Sequence, residues 1–158
     1  MSSVVSFLHF SCCAGLAALL IQGQTGQPKL ETLRGQVIPL AELLSKEKVE
    51  LDKDAEPFWL ALQTEDGKIY PLVKDVGSRM FYQDKTVLHR PMQVQGRIVG
   101  KTGMLQLTEV LSLKDGKPHE IYYWCDVCAI RRNVLDKGGV CECCGGKMEL
   151  REVPVGKQ

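Results

Sequence analysis

Histidine is scarce in this chain, with three in 158 residues. Beyond residue 27 only His89 and His119 remain, and no HExxH segment exists to hold a catalytic zinc on one helix face. Their expected role is surface or rim packing. No GxSxG run supplies a serine nucleophile on a strained turn. Neither CxxC is followed by histidine, which excludes haem attachment through CxxCH. An excess of either charge is missing as well: 20 Lys and Arg stand against 19 Asp and Glu, for a net charge of +1. Nucleic-acid binders draw much of their affinity from neutralising phosphates, so this balance argues against a nucleic-acid partner. The run Gly96-Arg97-Ile98-Val99-Gly100-Lys101-Thr102 resembles a phosphate loop, but places three residues between its glycines where four are required. It also crosses a predicted hairpin instead of a strand-to-helix turn.

What the chain does have is cysteine, seven in all. Cys125-x-x-Cys128 and Cys141-x-x-Cys144 form two paired turns separated by twelve residues. Two short turns that each present a cysteine pair supply the four thiolates of a closed tetrahedral zinc site. Gly145 and Gly146 follow the second pair, and glycine allows the tight backbone that brings amide hydrogens to bound sulfur. Cys143 could replace Cys144 only by creating a CxC turn and losing the position before the glycines. The expected ligands are therefore Cys125, Cys128, Cys141 and Cys144, with Cys143 a spare thiol. Four thiolates suit iron as well as zinc. Two disulfides, or a reactive dithiol pair, are the metal-free alternatives. In a redox or metal-handling protein, Arg131 and Arg132 would lower a thiolate pKa and Cys143 would act as resolving thiol.

Val4 to Ile21 is an uncharged, mostly apolar stretch, followed by polar, glycine-containing Gln22 to Gln27. It reads as an export signal without the usual basic start, or as a short membrane anchor if it is retained. A buried core helix is the alternative. Cleavage would remove Cys12 and Cys13 and leave an odd number of cysteines, which suits four ligands and one spare better than a full set of disulfides.

The remaining chain is long enough for one compact domain with a small appendage. We expect a leader or anchor over 1–27, a barrel over 28–120, a zinc ribbon over 121–153 and a tail over 154–158. Leu33 to Pro39 reads as a strand, and Leu40, Leu43 and Leu44 recur at helical spacing. Phe58, Leu60 and Leu62 alternate, and Glu65-Asp66-Gly67-Lys68 turns the chain into Ile69 to Val73. Pro71 lacks an amide hydrogen, which places that strand at an edge or a bulge. Val76 to Val87 holds a short helix at most. Met92, Val94 and Ile98 share one face with Gly96. Leu105, Leu107, Leu111 and Leu113 alternate in the next strand, with Glu109 breaking the phase at a bulge or a rim. Lys114-Asp115-Gly116-Lys117 then turns into His119 to Trp124, which delivers Cys125. Strands at this spacing with little helix suggest a mainly β fold built on a small barrel. Tyr122, Tyr123 and Trp124 are expected to pack the ribbon against it.

Arg34-Gly35-Gln36-Val37, Trp59-Leu60-Ala61-Leu62, Asp66 to Leu72 and Val94-Gln95-Gly96-Arg97 together resemble exported bacterial OB-like barrels. Tyr122 to Cys128 and Cys141 to Gly146 resemble a zinc-ribbon tail. Across residues 31–153 the chain is similar to a family of uncharacterised exported bacterial proteins. The resemblance implies a small OB-like β-barrel followed by a C-terminal zinc ribbon, and no established activity. Trp59, Tyr70, Phe81 and Tyr82 are candidates for a ligand face on such a barrel, with core packing as the alternative. The expected function is an exported, envelope-associated, non-catalytic binding or assembly module for a protein or small ligand.

Overall fold

A computed structural model describes residues 29–135 and 138–156. The predicted leader, with Cys12 and Cys13, lies outside the described residues. Among these, no helix is long and apolar enough to cross a membrane.

The fold is mainly β. Strand β1 (Glu31–Pro39) leads directly into helix α1 (Leu40–Lys46). A single turn of 3-10 helix at Glu56–Phe58 precedes β2 (Leu60–Thr64) and β3 (Ile69–Pro71). Helix α2 (Arg79–Gln83) and a second 3-10 turn (Lys85–Val87) follow. Then come β4 (Pro91–Ile98), β5 (Leu105–Lys114), β6 (Lys117–Cys125), β7 (Ile130–Arg132) and β8 (Glu149–Pro154). The eight strands make one antiparallel sheet in the order β3-β2-β1-β4-β5-β6-β7, with β8 also paired to β6.

The sheet is not closed. Between its β3 side and β5 there is one parallel bridge, Leu72 to Leu105, where Val73 N–H donates to the Leu105 carbonyl at 2.9 Å. Pro71 supplies the reason: it cannot donate, so β3 ends after three residues and no ladder extends from it.

The phase break expected at Glu109 is a bulge. Gln95 pairs with Glu109 while Gly96 pairs with Leu107, so Thr108 is the extra residue on β5. An extra residue flips every later side chain to the other face. Leu105 and Leu107 point into the core, but beyond the bulge Ser112 is the buried residue while Leu111 and Leu113 are only half-buried. The break at Glu109 was expected, but the shared face expected for Leu111 and Leu113 with Leu105 and Leu107 is corrected. Gly96 sits at this same step, where an added Cβ would lie 2.5 Å from the Gln106 carbonyl oxygen.

Strand β6 carries two assemblies. Its first half pairs with β5 through Leu111–Glu120 to Lys114–Lys117, and its second half pairs on that same edge with β7. β8 covers the opposite edge from His119 to Trp124. The boundary expected between residues 120 and 121 therefore falls inside a continuous strand. One buried cluster runs from Val37, Leu62 and Phe81 through Ile121 and Tyr123 to Cys125, Cys141 and Met148. Of the three aromatics expected to pack the ribbon onto the rest, only Tyr123 does so, at 1% exposure. Alternation sends Tyr122 and Trp124 to the other face, where Arg131 stacks over Tyr122 and Arg151 over Trp124.

Candidate metal centre

Each cysteine pair is delivered by a strand end and a tight turn. β6 ends at Cys125, and the chain reverses through Asp126, Val127, Cys128 and Ala129 into β7. Ala129 adopts φ +52, the left-handed conformation that closes the turn. In the second turn Gly145 takes the corresponding role at φ +69, with its N–H donating to the Cys141 carbonyl at 2.8 Å. Cys141 N–H in turn donates to the Gly146 carbonyl at 2.7 Å. A bridge between Val140 and Lys147 frames this second turn.

The two turns bring Cys125, Cys128, Cys141 and Cys144 together, with all four Sγ atoms within 4.8 Å of one another. Cys125 Sγ lies 3.5 Å from Cys144 Sγ. A tetrahedral site with zinc–sulfur bonds of about 2.3 Å has sulfur–sulfur edges of about 3.8 Å, so the spacing fits such an ion. The five described cysteines are all free thiols. Cys125 and Cys141 are buried, Cys128 is half-buried and Cys144 is exposed.

Backbone amides face two of the sulfurs, though at Cys125 burial and the neighbouring thiols of Cys144 and Cys141 raise the thiol overall. Those of Cys128 and Val127 face Cys125 Sγ, and those of Cys144 and Cys143 face Cys141 Sγ. The latter pair holds the Cys141 thiol down to about 7. Gly146 N–H reaches Cys144 Sγ at 3.4 Å. Crowding works the other way: the neighbouring thiols of Cys144 and then Cys143 push Cys128 well above its ordinary range. Four thiolates this close repel one another, and a divalent cation among them removes that penalty. The donor set fits a metal ion such as zinc.

Cys143 is exposed and stands outside the cluster of four. Arg131 and Arg132 are engaged elsewhere. Arg131 Nη1 lies 2.7 Å from Glu120, and Arg132 Nη2 lies 2.6 Å from Glu142. Arg151 pairs with Asp126, which also accepts from Trp124 Nε1 at 2.9 Å. His89 faces Glu42 at 3.4 Å, and His119 Nδ1 lies 2.9 Å from the Lys117 carbonyl; neither joins the cysteines.

The four aromatics named as ligand-face candidates, with core packing as the alternative, differ in exposure. Phe81 is 1% exposed and belongs to the core. Tyr70 and Tyr82 are partly buried against that core, while Trp59 is 39% exposed. Phe81 and Tyr82 line a groove of about 480 Å³ with Pro39, Leu60, Lys85 and His89. Sequence reasoning missed Lys74, whose Nζ sits 4.5 Å from the Phe58 ring centroid and 4.8 Å from that of Tyr82. Nothing in sequence spacing links these three positions.

Comparison with protein-family models, with curated proteins and with solved structures finds no match to this chain.

Proposed function

We propose that the chain is an exported, non-catalytic binding or assembly module whose C-terminal ribbon is held by a structural zinc ion. The carrying observation is the convergence of four cysteine sulfurs within 4.8 Å at the tips of two turns. Four protein ligands complete a tetrahedral shell and leave no position for a substrate, which is the signature of a structural centre. Zinc there replaces the hydrophobic core that so short a segment cannot build. The OB-like reading of the remaining strands is supported by their pairing: β1 joins β2 and β4, β2 joins β3, β4 joins β5, and the Leu72–Leu105 bridge touches β3's end to β5. Export rests on the uncharged apolar stretch from Val4 to Ile21, and a retained stretch would anchor the protein to a membrane.

The alternative is thiol–disulfide or metal-handling chemistry. Its support is the exposed Cys143 thiol beside Cys128. Alkylation kinetics on the native protein separate the two readings. Under the structural reading only Cys143 reacts quickly, and chelation releases the other four. Fast reaction of a ligand cysteine before metal removal would favour the reactive reading. Intact mass of protein recovered from the cell envelope tests export: a mass without the leader, or envelope retention with it, supports the proposal. Full-length protein found only in the cytoplasm would contradict it.

A further inference from the structure

Both ribbon strands that flank the cysteine turns hold the same turn beside α2. From β6, buried Tyr123, two residues before the ligand Cys125, donates its hydroxyl to Asp84 Oδ2 at 2.9 Å. Asp84 Oδ1 in turn accepts from Thr86 N–H at 2.8 Å and from Thr86 Oγ1 at 2.6 Å, capping the 3-10 turn. From β8, Glu152 Oε1 faces Arg90 at 3.6 Å, and Arg90 Nε donates to the Thr86 carbonyl at 2.6 Å. Glu152 is only 14% exposed and is also held by Lys114 at 2.8 Å. The two routes leave the ribbon on different strands and meet at Asp84–Thr86.

That turn forms one wall of the groove of about 480 Å³, through Tyr82, Lys85, Leu88 and His89. Pro39, Ala41 and Glu42, at the start of α1, also line it, and Glu42 lies 3.4 Å from His89. The groove has an apolar floor at Leu60 and Phe81 and falls within the size range of small-ligand sites.

We infer that occupancy of the four-cysteine centre controls the order of segment 79–90 and thereby the shape of this groove. The inference rests on the metal-centre reading above. The element with two states is the ribbon itself, because a small metal-dependent module folds as it binds its ion. With the ion bound, β6 and β8 are fixed, and Tyr123 and Glu152 meet Asp84 and Arg90 in register. Without it, the strands lose their anchor at the turns, and both contacts are released together. Coupling then needs no long chain of residues, since each ligand strand reaches the groove wall in one or two contacts. At half-buried Asp84, desolvation pushes the carboxyl up, but hydrogen bonds from Thr86 and Tyr123 outweigh it and lower it from its ordinary value.

Hydrogen exchange on the full chain, zinc-loaded and then chelator-stripped, tests the coupling, with metal content measured on each sample. Stripping should speed amide exchange in 79–90 by about tenfold or more, while β1 and β2 keep their protection. Tyr123→Phe and Glu152→Gln each cut one route and should retain one zinc. Each should speed exchange in that segment by about two- to tenfold in the loaded state. Opening of 125–146 on stripping with 79–90 unchanged would overturn the inference and leave the metal centre standing. A chain that takes up no zinc would overturn the metal-centre reading itself, and the metal count tells the two failures apart.

Discussion

The barrel-like portion and the ribbon of this molecule solve the same stability problem with different materials. The first buries aliphatic and aromatic side chains on one face of β1, β2, β4 and β5, and Val37, Leu62, Leu72 and Phe81 are almost wholly removed from water. Each such side chain contributes about 1.5–3 kcal/mol. The ribbon has three short or partly shared strands and offers Ile121, Tyr123, Met148 and two sulfurs to the interior. Under the proposed function a metal ion at the four-cysteine cluster adds to its order, and structural zinc in such modules supplies about 10–16 kcal/mol. The difference teaches that one protein can hold one half by buried area and bring four thiols together in the other, provided a strand common to both joins them. Here that strand is β6.

The largest effect should follow from removing a buried ligand. Cys125→Ser should abolish zinc binding, collapse the ribbon resonances in a heteronuclear NMR spectrum, and leave those of β1, β2 and β4 dispersed. An unchanged ribbon spectrum would remove the distinction between the two regions. Phe81→Ala strikes the other half. It should cost about 3–5 kcal/mol of global stability in urea titration while the protein still carries its zinc. Loss of the metal along with that stability would show that the ribbon cannot stand without the barrel core. Gly96→Ala places a methyl group against the Gln106 carbonyl at the bulge and should cost about 1–3 kcal/mol, read from the same titration. Cys143→Ser should be the smallest: zinc stoichiometry unchanged and stability within about 0.5 kcal/mol of the parent. A halved zinc content in that variant would instead make Cys143 a ligand.

The four-cysteine cluster was legible in the sequence because its determinants are local. The CxxC spacing and the glycines after Cys144 single out the same four cysteines whose sulfurs lie within 4.8 Å of one another. Hairpins were legible for the same reason, from Asp66-Gly67 and Asp115-Gly116. The inward face of β5 was legible only in part: Glu109 flagged the break, but keeping Leu111 and Leu113 in phase with Leu105 overlooks the one-residue shift that Thr108 introduces. Phe81 was left between a ligand face and core packing, since short helix α2 carries too few residues for an amphipathic pattern to declare itself. The sharing of β6 was hidden most deeply. Pairing to β5, β7 and β8 depends on partners up to 35 residues away, His119 with Pro154 among them, and no local signal announces them. Barrel closure was over-read from strand spacing, which says nothing about how few donors β3 retains beside Pro71.

Metal content and free-thiol count, measured together on protein recovered from its own compartment without reductant, test the central claim most directly. One zinc per chain, with Cys125, Cys128, Cys141 and Cys144 unoxidised and freed only by chelation, is the predicted result. A metal-free protein with Cys125–Cys128 and Cys141–Cys144 found as disulfides would contradict it and make thiol chemistry the leading function.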